Sequence, residues 1–408
     1  MSSTDPDSRP DGDEFVEITR GAQPRAASCI VAIGYNRLEP LRRLLKSLAE
    51  ANYREPADLL ISIDGGNSAE SMAAGLRDFA WPHGALSIRY ARRNLGLRRH
   101  VLSCGDVVLS GYEALIMLED DIVVGPRFHS FALDAVRTYA ADDAVAGISL
   151  YAPAFNEMAE LPFEPDGVRS AAVYALQSAQ SWGQCWSRDM WHGFREWYGN
   201  HDGPLAPAAD LPAKIYSWPA SSWKKYAMKY AVATGRTWIY PYVSHTTNFS
   251  ETGTHNPFVT ALYQRPLDNG PDGWALPALG ELVSYDAFFE RRPDGPSGLP
   301  DDFCFDLYAT KSRIDGPATL ATTRCPDLPK VDGFAAALRP HEVNVLRGVS
   351  GDDIGLYRIA AGSSVDLADV PARAHLAYHA NMGWKPALRM GLQGFRHAVT
   401  RRLGARRK

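Results

Sequence analysis

The chain is poor in cysteine. Cys29, Cys104, Cys185, Cys304 and Cys325 are the only five in 408 residues, and no two stand in a CxxC spacing. An odd, scattered set excludes a disulfide framework and a zinc cage as organising devices, and it fits a reducing compartment. Neither sign of charge dominates: 43 Lys and Arg against 47 Asp and Glu leave a net charge of −4. The balance gives no global argument for a nucleic-acid partner. No stretch reaches the roughly 18 apolar residues of a membrane-spanning helix, and no internal repeat is visible. One absence is local: no acidic residue follows Asp369.

What is present suffices for a large core. At 45% hydrophobic residues, 408 positions form two domains or one elaborated domain. Residues 1–26 are rich in Asp, Ser, Pro and Gly without an apolar segment, which predicts a disordered leader and a cytoplasmic protein. From Ser28 the pattern alternates strand and helix. Short β-rich runs cover Cys29–Ile33, Leu59–Ile63, Leu86–Tyr90 and Val145–Leu150. Helical spacing follows Pro40 through Leu41, Leu44, Leu45 and Leu48, then recurs over 69–79, 101–110 and 128–140. Repeated βα units predict a doubly wound, mostly parallel α/β sheet with ligands at the carboxyl ends of its strands.

The run Ala114–Leu118 has strand length and ends in Glu119-Asp120-Asp121. Three consecutive carboxylates at a strand tip repel one another. Hard divalent cations take oxygen ligands, and Mg²⁺ binds through one or two carboxylates plus substrate phosphates. The cluster therefore suggests a diphosphate substrate and a Mn²⁺ or Mg²⁺ ion, with Asp121 as the direct metal ligand. Glu119 and Asp120 are expected nearer the donor. Arg37 and Asp64 also fall just past strand ends, so the three sites converge on one crevice.

In this order the segments resemble the GT-A glycosyltransferases, in particular the animal N-acetylglucosaminyltransferase I family and bacterial family-2-like enzymes with a Glu-Asp-Asp motif. The resemblance is carried by Tyr35-Asn36-Arg37, Ile63-Asp64-Gly65-Gly66, Asn94-Leu95-Gly96-Leu97, the acidic cluster, Ser181-Trp182-Gly183-Gln184-Cys185-Trp186, and Ile239–Ser244 running on to Gly253-Thr254-His255. It covers roughly residues 28–258. It implies a Rossmann-like GT-A fold over 27–265, with a nucleotide-binding half (27–150) and an acceptor half (151–265). It also implies nucleotide contacts from Arg37 and Asp64, a metal on Asp121, and closure of His255 over the phosphates. The expected function is metal-dependent sugar transfer from a nucleotide-diphosphate donor, most simply a UDP-sugar, to a cell-surface polysaccharide or lipid-linked glycan. A sugar-phosphate nucleotidyltransferase is the rival class; its Gly-rich basic loop has only Gly34 here. A catalytically degenerate binding protein is the other.

The sequence departs from the resembling enzymes at Ser222-Trp223-Lys224-Lys225-Tyr226. Those enzymes follow the Trp with an Asp that serves as general base, and here Lys224 stands in its place. Lys224 is a base only if its pKa falls to about 7–8. Otherwise the base is another carboxylate, with Glu251 and Asp202 nearest in sequence, or the enzyme is retaining, or catalysis is lost. Seven of the ten tryptophans lie between Trp182 and Trp238. Indole faces stack on pyranose rings, so Trp182, Trp186 and Trp223 are expected on the acceptor wall. Residues 264–301 read as a loop or linker, 266–383 as an irregular α+β region. In 384–408, Trp384, Leu388, Leu392, Phe395, Val399 and Leu403 share a helical stripe among basic residues. This predicts an amphipathic helix on an anionic membrane surface.

Overall fold

The computed structural model describes residues 14–19, 26–167, 171–249, 261–271, 273–293, 298–316 and 318–372, with six further helical positions between 385 and 395. The first half contains β1 (Phe15–Thr19), β2 (Ser28–Gly34), α1 (Leu38–Glu50), β3 (Ala57–Ile63), α2 (Ala69–Ala74), β4 (Leu86–Ala91), α3 (Leu97–Gly105), β5 (Ala114–Glu119), β6 (Ile122–Val124), α4 (Phe128–Tyr139) and β7 (Val145–Ser149). All seven residues of β2 and of β3 are buried, the pattern of parallel strands covered on both faces. Leu41, Leu44, Leu45 and Leu48 form the buried stripe of α1. Each is worth about 1.5–3 kcal/mol of burial against this sheet.

The central sheet has ten strands in the order β1, β4, β3, β2, β5, Gln184–Ser187, β7, Thr237–Pro241, Val173–Leu176, Ser284–Tyr285. Six of the ten run in one direction: β2, β3, β4, β5, β7 and Thr237–Pro241. The fold is therefore a mixed α/β, doubly wound sheet in which the block β4-β3-β2-β5 is wholly parallel. From β2 the chain moves outward through β3 and β4, then returns to place β5 on the other side of β2. The strand order reverses between β2 and β5, where Ile33 pairs with Glu119. Ligands of open α/β sheets bind outside the strand ends at such a switch point.

Two expectations are corrected. The segment 1–26 is not wholly a disordered leader: Phe15–Thr19 pairs antiparallel with β4, Phe15 is buried, and the Arg89 guanidinium lies 4.0 Å over its ring. Nor is 264–301 only a linker. Leu282, Val283, Tyr285, Ala287, Phe288 and Phe289 are buried in the main core, and Ser284–Tyr285 is an edge strand of the large sheet. The helix expected over 101–110 begins earlier, at Leu97, and ends in a 3₁₀ turn over Asp106–Ser110.

After α5 (Arg188–Gly199), α6 (Ala213–Tyr216) and α7 (Lys224–Ala233), the C-terminal region builds a four-stranded sheet. Its order is Phe303–Asp306, Thr319–Thr322, Ile354–Arg358, Lys330–Phe334, and Phe305, Ala321, Phe334 and Ile354 fill its small core. Buried polar contacts fasten it to the main body. The Tyr285 hydroxyl donates to Glu342 at 2.8 Å, the Tyr308 backbone N–H donates to Glu290 at 2.6 Å, and Lys311 meets Asp286 at 2.6 Å. Among the described residues no helix is long and apolar enough to cross a membrane.

Candidate functional site

The strand ends bring the expected residues to one edge. Arg37 follows β2, Asp64 follows β3, and Glu119-Asp120-Asp121 close β5. Gln184–Ser187 runs antiparallel between β5 and β7, so its start, not its end, lies at this edge and delivers Trp182. Gly183 makes that entry possible. Its φ is +105°, and a Cβ there would stand 2.8 Å from the Thr246 side chain.

The three carboxylates of the acidic turn have different surroundings. Asp120 is buried and bound by Arg37, whose Nε donates at 3.3 Å and whose Nη2 completes the bidentate pair. Asp121 is fixed by the strand Thr246–Asn248, which pairs with β6; the Phe249 N–H donates to the Asp121 carbonyl at 2.7 Å. The Asn248 side chain hydrogen-bonds the Asp121 carboxylate, and yet Oδ1 is buried without a partner among the described residues. Burial raises all three pKa values, Glu119 to about 8 and Asp120 to about 6. For Glu119 the neighbouring Asp121 and Asp120 add to the rise, opposed by Lys224 and Arg37. For Asp120 the Arg37 guanidinium opposes it. Arg43, over the Phe249 ring at 3.5 Å, also lowers Asp120 and Asp121.

Asp64 is engaged by the backbone. Its Oδ1 accepts from Gly65 N at 2.7 Å and Leu95 N at 2.8 Å, and Oδ2 accepts from Gly96 N at 3.0 Å. These bonds tie the Asn94-Leu95-Gly96 loop to the end of β3 and set the start of α3. A Cβ at Gly65 would lie 2.0 Å from the Arg93 backbone, so the Asp-Gly pair admits no larger second residue. Across this loop Asn94 donates to the Tyr35 hydroxyl at 2.9 Å, leaving the Tyr35 ring partly exposed at the mouth of the crevice.

The tryptophans divide. Trp186 and Trp223 are core residues, 0% and 2% exposed, so the expectation that they line an acceptor wall is corrected. Trp186 packs on Trp191, Phe194 and Trp238, and its Nε1 donates to Gln184 at 2.8 Å. Trp182 is partly open, beside Tyr151 and Tyr263. Lys224 begins α7, with its Nζ 6.0 Å from the Trp182 ring and 5.3 Å from that of Trp218. It donates to Glu157 at 2.6 Å while its charge also reaches Glu119. Asp202 is exposed, near Arg98 through its carbonyl at 3.2 Å. Glu251 and His255 lie outside the described residues.

Sequence reasoning missed Arg43, Glu157, Trp218 and Asn248. Arg43 is one of two adjacent arginines on an exposed-looking helix face. Glu157 and Trp218 reach the site from loops with no periodic signal. Asn248 lies within the late segment that carried part of the resemblance, but nothing in its spacing marks it.

Neither a known protein family nor a curated protein matches this chain. Among solved structures it is similar to a mannosyltransferase from Pyrobaculum calidifontis in complex with GDP-Man and Mn²⁺, at 11% identity and a TM-score of 0.34, covering 55% of this chain and 57% of that one. It is similar to S. aureus TarS 1-349 in complex with UDP-GlcNAc, at 10% identity and 0.34, covering 56% and 60%. GalNAc-T7 with UDP, GalNAc and Mn²⁺ aligns at 11% identity and 0.37, covering 55% and 43%. The chain thus spans little more than half the length of the first of these. At such TM-scores the likeness carries no inference about donor, acceptor or metal.

Proposed function

We propose that this chain is a metal-dependent glycosyltransferase that takes a sugar from a nucleotide-diphosphate donor, in the first instance a UDP-sugar. Its acceptor would be a cell-surface polysaccharide or a lipid-linked glycan. The observation that carries the reading is the buried Oδ1 of Asp121, which has no partner among the described residues, beside the switch point of the sheet. A hard cation suits that oxygen, and the neighbouring carboxylates, which burial holds towards protonation, favour a nearby positive charge. No three His, Cys, Asp or Glu side chains converge as a ligand cage among the described residues. The ion would be held by Asp121 together with the donor's phosphates. When bound, Mn²⁺ or Mg²⁺ would neutralise charge on the departing diphosphate.

The chain's own groups have separable tasks in this reading. Arg37 orients Asp120, while Asp64 shapes the loop around the nucleotide. Glu119 faces the donor sugar, and Trp182 offers an indole face to the acceptor. His255 is assigned to the phosphates. The basic C-terminal helix would hold the enzyme at an anionic membrane surface on the cytoplasmic side. Its described apolar positions, Leu388, Leu392 and Phe395, are 55%, 53% and 68% exposed.

Calorimetry with UDP and GDP sugars, with and without Mn²⁺, tests the reading. Metal-dependent binding accompanied by slow release of nucleoside diphosphate is the expected result. Equal binding with and without metal would remove the ion from the mechanism, and no binding would remove the donor class.

A further inference from the structure

We propose that Glu157 is the general base of this enzyme and that Lys224 is the residue that positions it. The inference rests on the glycosyltransferase reading and names the group that completes it. Lys224 occupies the place where the resembling enzymes carry a carboxylate, but it is committed as a donor to Glu157 at 2.6 Å. The carboxylate is therefore displaced by one residue in space rather than lost.

The surroundings fix Glu157 firmly. It stands in the turn between the short paired strands Phe155–Asn156 and Leu161–Pro162. Asn156 Oδ1 accepts from Met158 N at 2.9 Å and Ala159 N at 3.2 Å, and Asn156 Nδ2 donates to the Phe288 carbonyl at 3.3 Å. Lys214 donates to the Glu157 carbonyl at 2.9 Å. The carboxylate remains partly open, at 28% side-chain exposure, and its Oε2 accepts no hydrogen bond from the described residues. The half-open rings of Trp182 and Trp218 flank Lys224, so an acceptor sugar stacked on either would bring a hydroxyl towards Glu157. Trp182, whose ring lies 6.0 Å from Lys224, leads into the strand whose Gln184 pairs with Met117 of β5, so the pair stands at the sheet edge where the acidic turn lies. Asp202, exposed and joined to the Arg98 side, has no such link.

In the proposed step a Glu157 oxygen takes the acceptor hydroxyl proton as the hydroxyl oxygen forms its bond to the anomeric carbon. The bond from this carbon to the diphosphate oxygen breaks, and its electron pair leaves with the nucleoside diphosphate. The configuration at the anomeric carbon is inverted. The charged and titratable groups facing Glu157 are Lys224 from α7, Lys214 from α6, Glu160 from its own turn, and Tyr151, Tyr240 and Tyr263.

The test uses the full chain with Mn²⁺, UDP-glucose, UDP-GlcNAc and GDP-mannose as donors, and water or octyl hexosides as acceptors. Nucleoside diphosphate release is followed against pH, and UDP and GDP affinities are measured by calorimetry. Glu157→Gln is expected to lower kcat about 10²–10³-fold, to erase the acid limb of the pH profile and to leave nucleotide affinity unchanged. Glu157→Asp keeps the limb at reduced rate. Lys224→Arg retains most activity, whereas Lys224→Met moves the acid limb. Wild-type kcat and pH profile in Glu157→Gln would overturn the assignment while leaving the donor site intact. Donor binding with no turnover by the wild type would overturn it as well. A wild-type chain that binds no nucleotide would defeat the underlying reading and the base with it.

Discussion

Arg37 and Asp120 face each other across the point where the strand order reverses, one just past β2 and the other just past β5. Their side chains are 26% and 8% exposed, and the guanidinium meets the carboxylate with two nitrogens. The pair joins the first βα loop to the acidic turn. Removing one partner leaves a buried charge without compensation. Arg37→Ala is expected to cost about 3 kcal/mol and to weaken donor binding, because the acidic turn loses its anchor. Arg37→Met combined with Asp120→Asn should recover much of the stability but not the binding. Chemical denaturation of Arg37→Met, Asp120→Asn and the double variant gives the coupling directly; additive losses would mean the pair does not act as a unit.

Asp121 separates stability from function in the opposite sense. Its Oδ1 is buried without a partner among the described residues, and its carboxyl lies beside Glu119, whose own pKa it raises. Asp121→Asn removes a repelling charge, so the melting temperature should hold or rise slightly. Metal-dependent nucleotide binding should fall at least tenfold. A variant that loses stability and keeps its metal response would place the ion elsewhere.

Much of this site was legible in the sequence, and the unread part has a physical reason. The burial of β2, β3 and β5 follows from continuous apolar runs, and the positions of Arg37, Asp64 and the acidic turn follow from being just past strand ends. Asp64 was readable as a residue just past a strand end but not as the acceptor of three backbone N–H groups, since that depends on where the loop 94–96 returns. Trp186 and Trp223 look like Trp182 in composition. Strand alternation and the packing of α5 bury Trp186, and the turn into α7 buries Trp223, which only the three-dimensional register reveals. Glu157 was silent for the same reason: 67 residues separate it from Lys224, and nothing local links them.

Two buried histidines predict acid lability. Burial pushes His100 and His129 down to about 4 from the ordinary 6.5, and each is hydrogen-bonded to a serine, Ser62 and Ser28, at 2.9 Å. A depressed folded-state pKa means that the unfolded chain binds the proton more readily. The stability is therefore fully present above pH 6.5 and is lost as pH falls towards 4. Glu119 and Asp120, raised to about 8 and about 6, work the other way: their contribution is lost as pH rises through those values. The variant His129→Gln isolates one histidine. The difference in unfolding free energy between wild type and variant should shift by on the order of 3 kcal/mol from pH 7 to pH 4. A difference independent of pH would show that the fold leaves the His129 pKa where the unfolded chain has it.

The C-terminal stripe yields the last prediction. Leu388, Leu392 and Phe395 are helical, exposed and spaced for one face, and the segment after Asp369 carries basic residues with no acidic one. An apolar face rimmed by cations is complementary to anionic lipid, each basic residue near the surface adding about 1 kcal/mol. The full chain should therefore co-sediment with phosphatidylglycerol-containing vesicles at low salt and release as salt rises. Leu388→Asp with Phe395→Asp should abolish binding even though the positive charges remain, because the apolar face supplies the insertion. Deleting residues 384–408 should do the same while leaving nucleotide binding unchanged. Binding that survives both changes would assign the membrane contact to another surface, and no binding by the intact chain would remove the membrane from the reading.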